Sequence, residues 1–190
     1  MIHKSHIWKE KLNKIIRKLG KYTQLGRWNE RSMEIIEENV FISAYIIRKL
    51  REAKKLSFEI GDISIPVAKF PNVKKVDLFN WHKFDELFDL STPVKEQLPL
   101  NNVCNVIIHS FIFTFALDFH GIQNKLGGFF IASDYTKDSE LYFIKIEDYI
   151  QLLGKIVNDD KCISIWVRNS KGDFVDPREE KSYQNNKESI

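Results

Sequence analysis

The stretch that most constrains this chain runs from Asn101 to Phe119, NNVCNVIIHSFIFTFALDF, because its hydrophobic period changes part-way. From Phe111 to Phe119 the odd positions read Phe111, Phe113, Phe115, Leu117 and Phe119, and the even ones Ile112, Thr114, Ala116 and Asp118. Such alternation predicts a strand whose aromatic side faces the core. Residues 101–109 do not alternate. There Asn102, Asn105 and His109 recur at spacings of three and four, which stacks them on one face of a helix while Val103, Val106 and Ile107 point elsewhere. The expectation is a short helix running straight into a core strand, with one continuous buried helix through Phe119 as the competing reading. A membrane span is not expected, since Asn, His and Asp interrupt the run well short of the roughly 20 apolar residues a bilayer requires.

Before this stretch the chain reads mostly as helix. Ser5 is a candidate N-cap for a first helix ending near Gly20, with Ile7, Trp8, Leu12, Ile15, Ile16 and Leu19 as its apolar stripe. A longer helix is predicted from Glu30 to Leu56 with Asn29 as cap. Glu30, Glu34, Glu37 and Glu38 open it, and Arg48, Lys49, Arg51, Lys54 and Lys55 close it, a pattern that complements the helix dipole without any partner. SFEI and ISIPVAKF read as two short strands around Gly61-Asp62, the second at an edge or broken at Pro66. Trp81–Leu90 reads as a short helix with Phe84, Leu87 and Phe88 inward.

Beyond Phe119 the pattern is mostly sheet. A loop is predicted over HGIQNKLGG, strands over 129–134 and 141–146, a helix over 147–157 with Tyr149, Ile150, Leu152, Leu153 and Ile156 buried, then CISIWVR and a hairpin turn at 169–173. The fold class that follows is α+β, with N-terminal helices packed on a mostly antiparallel sheet whose strands concentrate in residues 110–168. At 190 residues the length suits a single domain. It is expected to span residues 1–177, with a helical half (1–109), a sheet-rich half (110–177) and a loose polar tail at 178–190.

Two cysteines, Cys104 and Cys162, both fall in expected core elements with no second pair to make a zinc site. Buried free thiols and the lack of a secretory signal pattern lead to the expectation of a reducing cytoplasm. The net charge of +3 is uneven: residues 1–28 hold eight Lys or Arg against one acid, Glu10, so the remainder is net acidic.

Several sets of residues could carry chemistry. Asn102, Asn105 and His109, with Ser110 beside them, offer a general base and two orienting amides; equally, they can form a buried network pinning the helix to a strand, and that structural reading is preferred. Asp118 and His120, joined by Asp134, are candidate metal ligands, although a strand leaving the core explains them as well. His82, Asp85 and Asp89 recur at helical spacing and suit a solvated face. Lys11, Lys14, Arg17 and Lys18 on the first helix could bind nucleic acid, or simply be the wet side of a docked helix. Gly127-Gly128 lacks the Lys-Ser or Lys-Thr of a phosphate loop, and the Glu-x-Lys triplet Glu52 to Lys54 lies in a predicted helix rather than a nuclease strand. No histidine is preceded by an Arg at the spacing a helix-borne ribonuclease pair needs; before His109 that place is taken by Asn102.

The sequence therefore predicts a small cytoplasmic, non-catalytic protein that binds a protein partner. The alternatives are nucleic-acid binding through the basic first helix and a hydrolase or ribonuclease with a pocket around Asn105 and His109. No cofactor and no metal are implied.

Overall fold

A computed structural model describes residues 4–25, 28–118, 125–159, 167–168, 171–172 and 174–175. The element order is α1 (Ser5–Thr23), α2 (Glu30–Glu52), the single turn α3 (Phe58–Gly61), β1 (Ser64–Pro71), the single turn α4 (Phe84–Leu87), β2 (Val94–Pro99), α5 (Leu100–Ile108), β3 (Ser110–Asp118), β4 (Lys125–Ser133), β5 (Glu140–Lys145) and α6 (Ile146–Val157). A separate two-stranded ribbon pairs β6 (Val167–Arg168) with β7 (Phe174–Val175). The fold is α+β. Its five-stranded sheet has the order β2-β1-β5-β4-β3, with every neighbouring pair antiparallel.

The helix-to-strand switch at residues 108–110 is as the change of period predicts. One part of the alternation fails. Ser110 pairs with Ser133 but Ile112 pairs with Ala132, so Phe111 is the extra residue of a β-bulge. Its ring therefore packs on the same side of the sheet as Ile112, while Phe113, Phe115 and Leu117 face the other way.

The sheet is apolar on both faces. In β4, Phe129 and Ile131 join one cluster and Phe130 and Ala132 the other; in β5, Tyr142 and Ile144 oppose Leu141 and Phe143. The larger cluster is covered by α1, α2, α5 and α6, which contribute Leu12, Ile36, Ile47, Val103, Tyr149 and Leu153 among others. The smaller is covered by the segment after β1, through Val76, Leu87 and Phe88. Full burial of one such side chain stabilises by about 1.5–3 kcal/mol, so this two-sided arrangement supplies most of what holds the sheet. Close approach of strands fixes one residue. A Cβ on Gly128 would stand 2.2 Å from the Ile144 carbonyl oxygen.

Several expected boundaries move. Lys4, not Ser5, is the N-cap of α1, and the helix continues one turn past Gly20 to Thr23. Ile7, expected in its apolar stripe, is exposed. Asn29 does cap α2, its side chain accepting from Ser32 N at 2.8 Å. The helix ends at Glu52 rather than Leu56, because Lys54 turns left-handed at φ 56°. SFEI is the helical turn α3, capped by Ser57, and not a strand. Pro66 lies in an interior strand, yet β5 pairs with β1 only from Ala68 onward, so no ladder on that side needs its missing N–H. The helix expected over 81–90 contracts to Phe84–Leu87, and Gly127 and Gly128 belong to β4 rather than to a loop. Residues 119–124, which hold the first part of the loop expected over HGIQNKLGG, most of CISIWVR and the tail lie outside the described residues.

Candidate functional site

The polar residues of α5 open onto a cleft of about 450 Å³ between α2, α5 and the β4–β5 turn. Its walls include Arg48, Asn102, Asn105, His109, Tyr135 and Tyr142. Local structure explains the gathering. Asn102, Asn105 and His109 share a face of α5, whose opposite side buries Val103, Cys104 and Ile107. His109 is the C-cap of α5, and its carbonyl accepts from Asp134 N at 3.0 Å, which ties the helix end to the exit of β4. That bond carries Tyr135 alongside the imidazole, the two rings meeting edge-on at 6.5 Å.

Helix α2 supplies the positive charge. Arg48 Nη1 stands 3.3 Å from His109 Nε2, and Arg51 Nη1 donates to Asn101 Oδ1 at 2.9 Å. A guanidinium only donates, so in a hydrogen bond between the two the acceptor is the Nε2 lone pair. Arg48 Nε also donates to Glu52 at 3.0 Å, leaving further N–H groups of the guanidinium for a ligand. At the far wall the Tyr142 hydroxyl donates to Glu140, whose other oxygen lies 3.4 Å from Lys69 Nζ. Burial, then the hydrogen bond to Glu140, pushes the Tyr142 phenol well above its usual value. Beneath the cleft, burial pushes the Cys104 thiol up to about 12 against the opposing pull of Arg51 and Arg48.

The sequence-predicted residues fall out as follows. Asn102, Asn105 and His109 do come together, but not as a buried network. Asn102 and His109 are exposed and Asn105 is half-buried, because α5 turns this face to the cleft and not to the sheet. Lys11, Lys14, Arg17 and Lys18 are all exposed on α1, away from this cleft. Asp118 pairs with Lys125 while Asp134 follows Ser133, the partner of Ser110, so the two aspartates stand at opposite ends of the β3–β4 hairpin and cannot share an ion. His120 is outside the described residues. Asp89 turns its carboxylate onto Ser91 and Thr92, which hold it below the usual range, while His82 stacks edge-on against Trp81 at 6.0 Å. Among the described residues no three His, Cys, Asp or Glu side chains gather as metal ligands, and no helix is long and apolar enough to cross a membrane.

Sequence reasoning missed Arg48, Tyr135, Glu140 and Tyr142. Arg48 and Arg51 were visible only as dipole-complementing charges, whereas their spacing of three also aims both at α5. No family model matches the chain, and no curated protein or solved structure does either.

Proposed function

We propose that this protein is a non-catalytic binding domain whose cleft takes a phosphate-bearing ligand. The observation that carries the reading is the Arg48 guanidinium at 3.3 Å from His109 Nε2, at an open cleft with two asparagine amides beside it. A guanidinium and amide N–H groups match the oxygens of a phosphate, and Arg holds them in bidentate geometry. Tyr135, 88% exposed at the rim, offers a ring face for a planar group attached to that phosphate. The reading leaves out turnover because no carboxylate among the described residues bonds to the His109 ring to orient it as a general base. A reducing cytoplasm suits the buried, free Cys104 thiol.

Calorimetric titration with inorganic phosphate and with adenosine monophosphate at low salt tests this. Arg48→Ala is expected to weaken binding by about ten- to a hundredfold, the worth of a charge-assisted hydrogen bond. The quadruple change of Lys11, Lys14, Arg17 and Lys18 to Glu is expected to leave it unaltered. Loss of affinity in the quadruple variant alone would move the function to α1 and to nucleic acid. Release of phosphate from the ester would replace binding by hydrolysis.

A further inference from the structure

On the opposite side of the sheet from the helices, the segment after β1 presents an apolar tip to water. Leu78 is 75% exposed, Phe79 88% and Trp81 40%. Single exposed apolar residues are ordinary, but three within four positions of one turn are not. The tip is also held rigidly by polar groups. Asp77 Oδ1 accepts from Phe79 N at 2.8 Å and Asn80 N at 3.1 Å, and Asn80 Oδ1 accepts from Asp77 N at 2.8 Å. Asn80 Nδ2 donates to the Lys75 carbonyl at 2.9 Å, and Val76, buried against the sheet, donates its N–H to Asp138 at 3.0 Å. The backbone is thus fixed from below while the Leu78 and Phe79 side chains stay out of both apolar clusters.

Charge says what covers them. Lys74, Lys75 and Lys83 flank the tip and are all exposed. Asp77, the one acid among residues 73–83, is turned onto backbone N–H groups; the next acids, Asp85 and Glu86, begin α4. Aromatic and leucine side chains within a lysine collar suit the interface of an anionic bilayer, where rings sit at headgroup depth and ammonium groups meet phosphate and carboxylate. The basic helix α1 is no competitor for insertion, since Leu12, Ile15 and Leu19 of its apolar stripe are buried in the core. We propose that the Leu78–Trp81 turn is a membrane-docking element that inserts its apolar tip into an anionic lipid surface while Lys74, Lys75 and Lys83 engage the headgroups.

Sedimentation of the full chain with vesicles tests this, using phosphatidylcholine alone and phosphatidylcholine mixed with phosphatidylserine. Binding is expected only to the mixed vesicles, declining as salt is raised. Leu78→Ser with Phe79→Ser is expected to weaken it about tenfold or more, and so is Lys74→Glu with Lys75→Glu, each a change of more than about 1.4 kcal/mol. Because these side chains are exposed, the variants should keep the wild-type melting temperature, which separates lost docking from lost fold. The tryptophan emission of the wild type should shift to the blue on mixed vesicles, and Trp81→Phe should abolish the shift. The proposal is overturned if the wild type stays in the supernatant, or if the apolar-tip variant sediments equally well. It is equally overturned if the patch instead holds two copies together, read as a dimer that Phe79→Ser dissociates.

Discussion

Gly128 shows how much a single residue can decide. An added methyl would lie 2.2 Å from the Ile144 carbonyl oxygen and 2.7 Å from the Phe143 ring, in the ladder that joins β4 to β5. Neither backbone can retreat without parting two central strands, so Gly128→Ala should destabilise by about 3 kcal/mol, at the upper end of ordinary overpacking. A urea midpoint that hardly moves would show that the strands have room. From sequence alone this glycine looked like one of three in a loop, since the pairing that crowds it comes from a strand more than a dozen positions away. The site was legible in the same partial way. Asn102, Asn105 and His109 could be placed on one helix face because helical spacing is local information. Arg48, which meets His109 across 61 positions, could not. The expected burial of the trio failed for a related reason. Periodicity gives the faces of a helix but not which face meets the sheet.

Helix ends carry the same lesson one level up. The chain leaves α2 through a Schellman arrangement: Lys55 N donates to the Leu50 carbonyl and Lys54 N to that of Arg51, both at 2.9 Å. That geometry puts Lys54 at φ 56°, where glycine is the residue without steric penalty. Lys54→Gly should therefore raise stability by about 0.5–1 kcal/mol, read as a higher denaturant midpoint with an unchanged slope. A fall would mean that what the Lys54 side chain contributes outweighs the backbone strain. The stop was hidden because RKLREAKKL has good helix formers throughout and no glycine, so propensity runs on through residues where tertiary contact turns the chain. Where an element has its own local signal, as with Asn29 before α2 or the period change at residue 110, the boundary was legible to within a residue.

At the scale of the whole molecule, the sheet joins two groups of strands through the short β1–β5 pairing, Ala68–Pro71 against Phe143–Glu140. Lys69 crosses that junction, 2.7 Å from Glu96 on β2 and 3.4 Å from Glu140 on β5. Its hydrogen bond to Glu96 is the main reason its ammonium group is held above its usual value. Two groups in the helical layer are displaced in the same direction: burial raises the Tyr149 phenol, which bonds Ser43, and raises the Cys104 thiol from 9.0 to about 12. A group whose folded-state pKa exceeds its unfolded value holds its proton more tightly in the folded protein. Its contribution is complete below the unfolded value and is lost as pH rises through the folded one. Tyr142, raised by burial and by Glu140, is displaced the same way. Stability should therefore decline in stages, beginning near pH 9 with Cys104 and continuing from about pH 10 with the phenols, each fully buried group removing up to about 1.4 kcal/mol per pH unit. Lys69, still partly in contact with water, contributes less. Among the described residues, the carboxylates Glu52 and Asp89 are held low but lie in solvent, where such interactions are screened and contribute little on the acid side. Guanidinium midpoints measured from about pH 7 to about pH 11 should be level at first and then fall. Cys104→Ala with Tyr149→Phe should start lower at neutral pH, having lost packing and a buried hydrogen bond, yet fall less steeply above pH 9. If both proteins fall in parallel, the alkaline weakness lies elsewhere, and the β1–β5 junction around Lys69 is the next place to test.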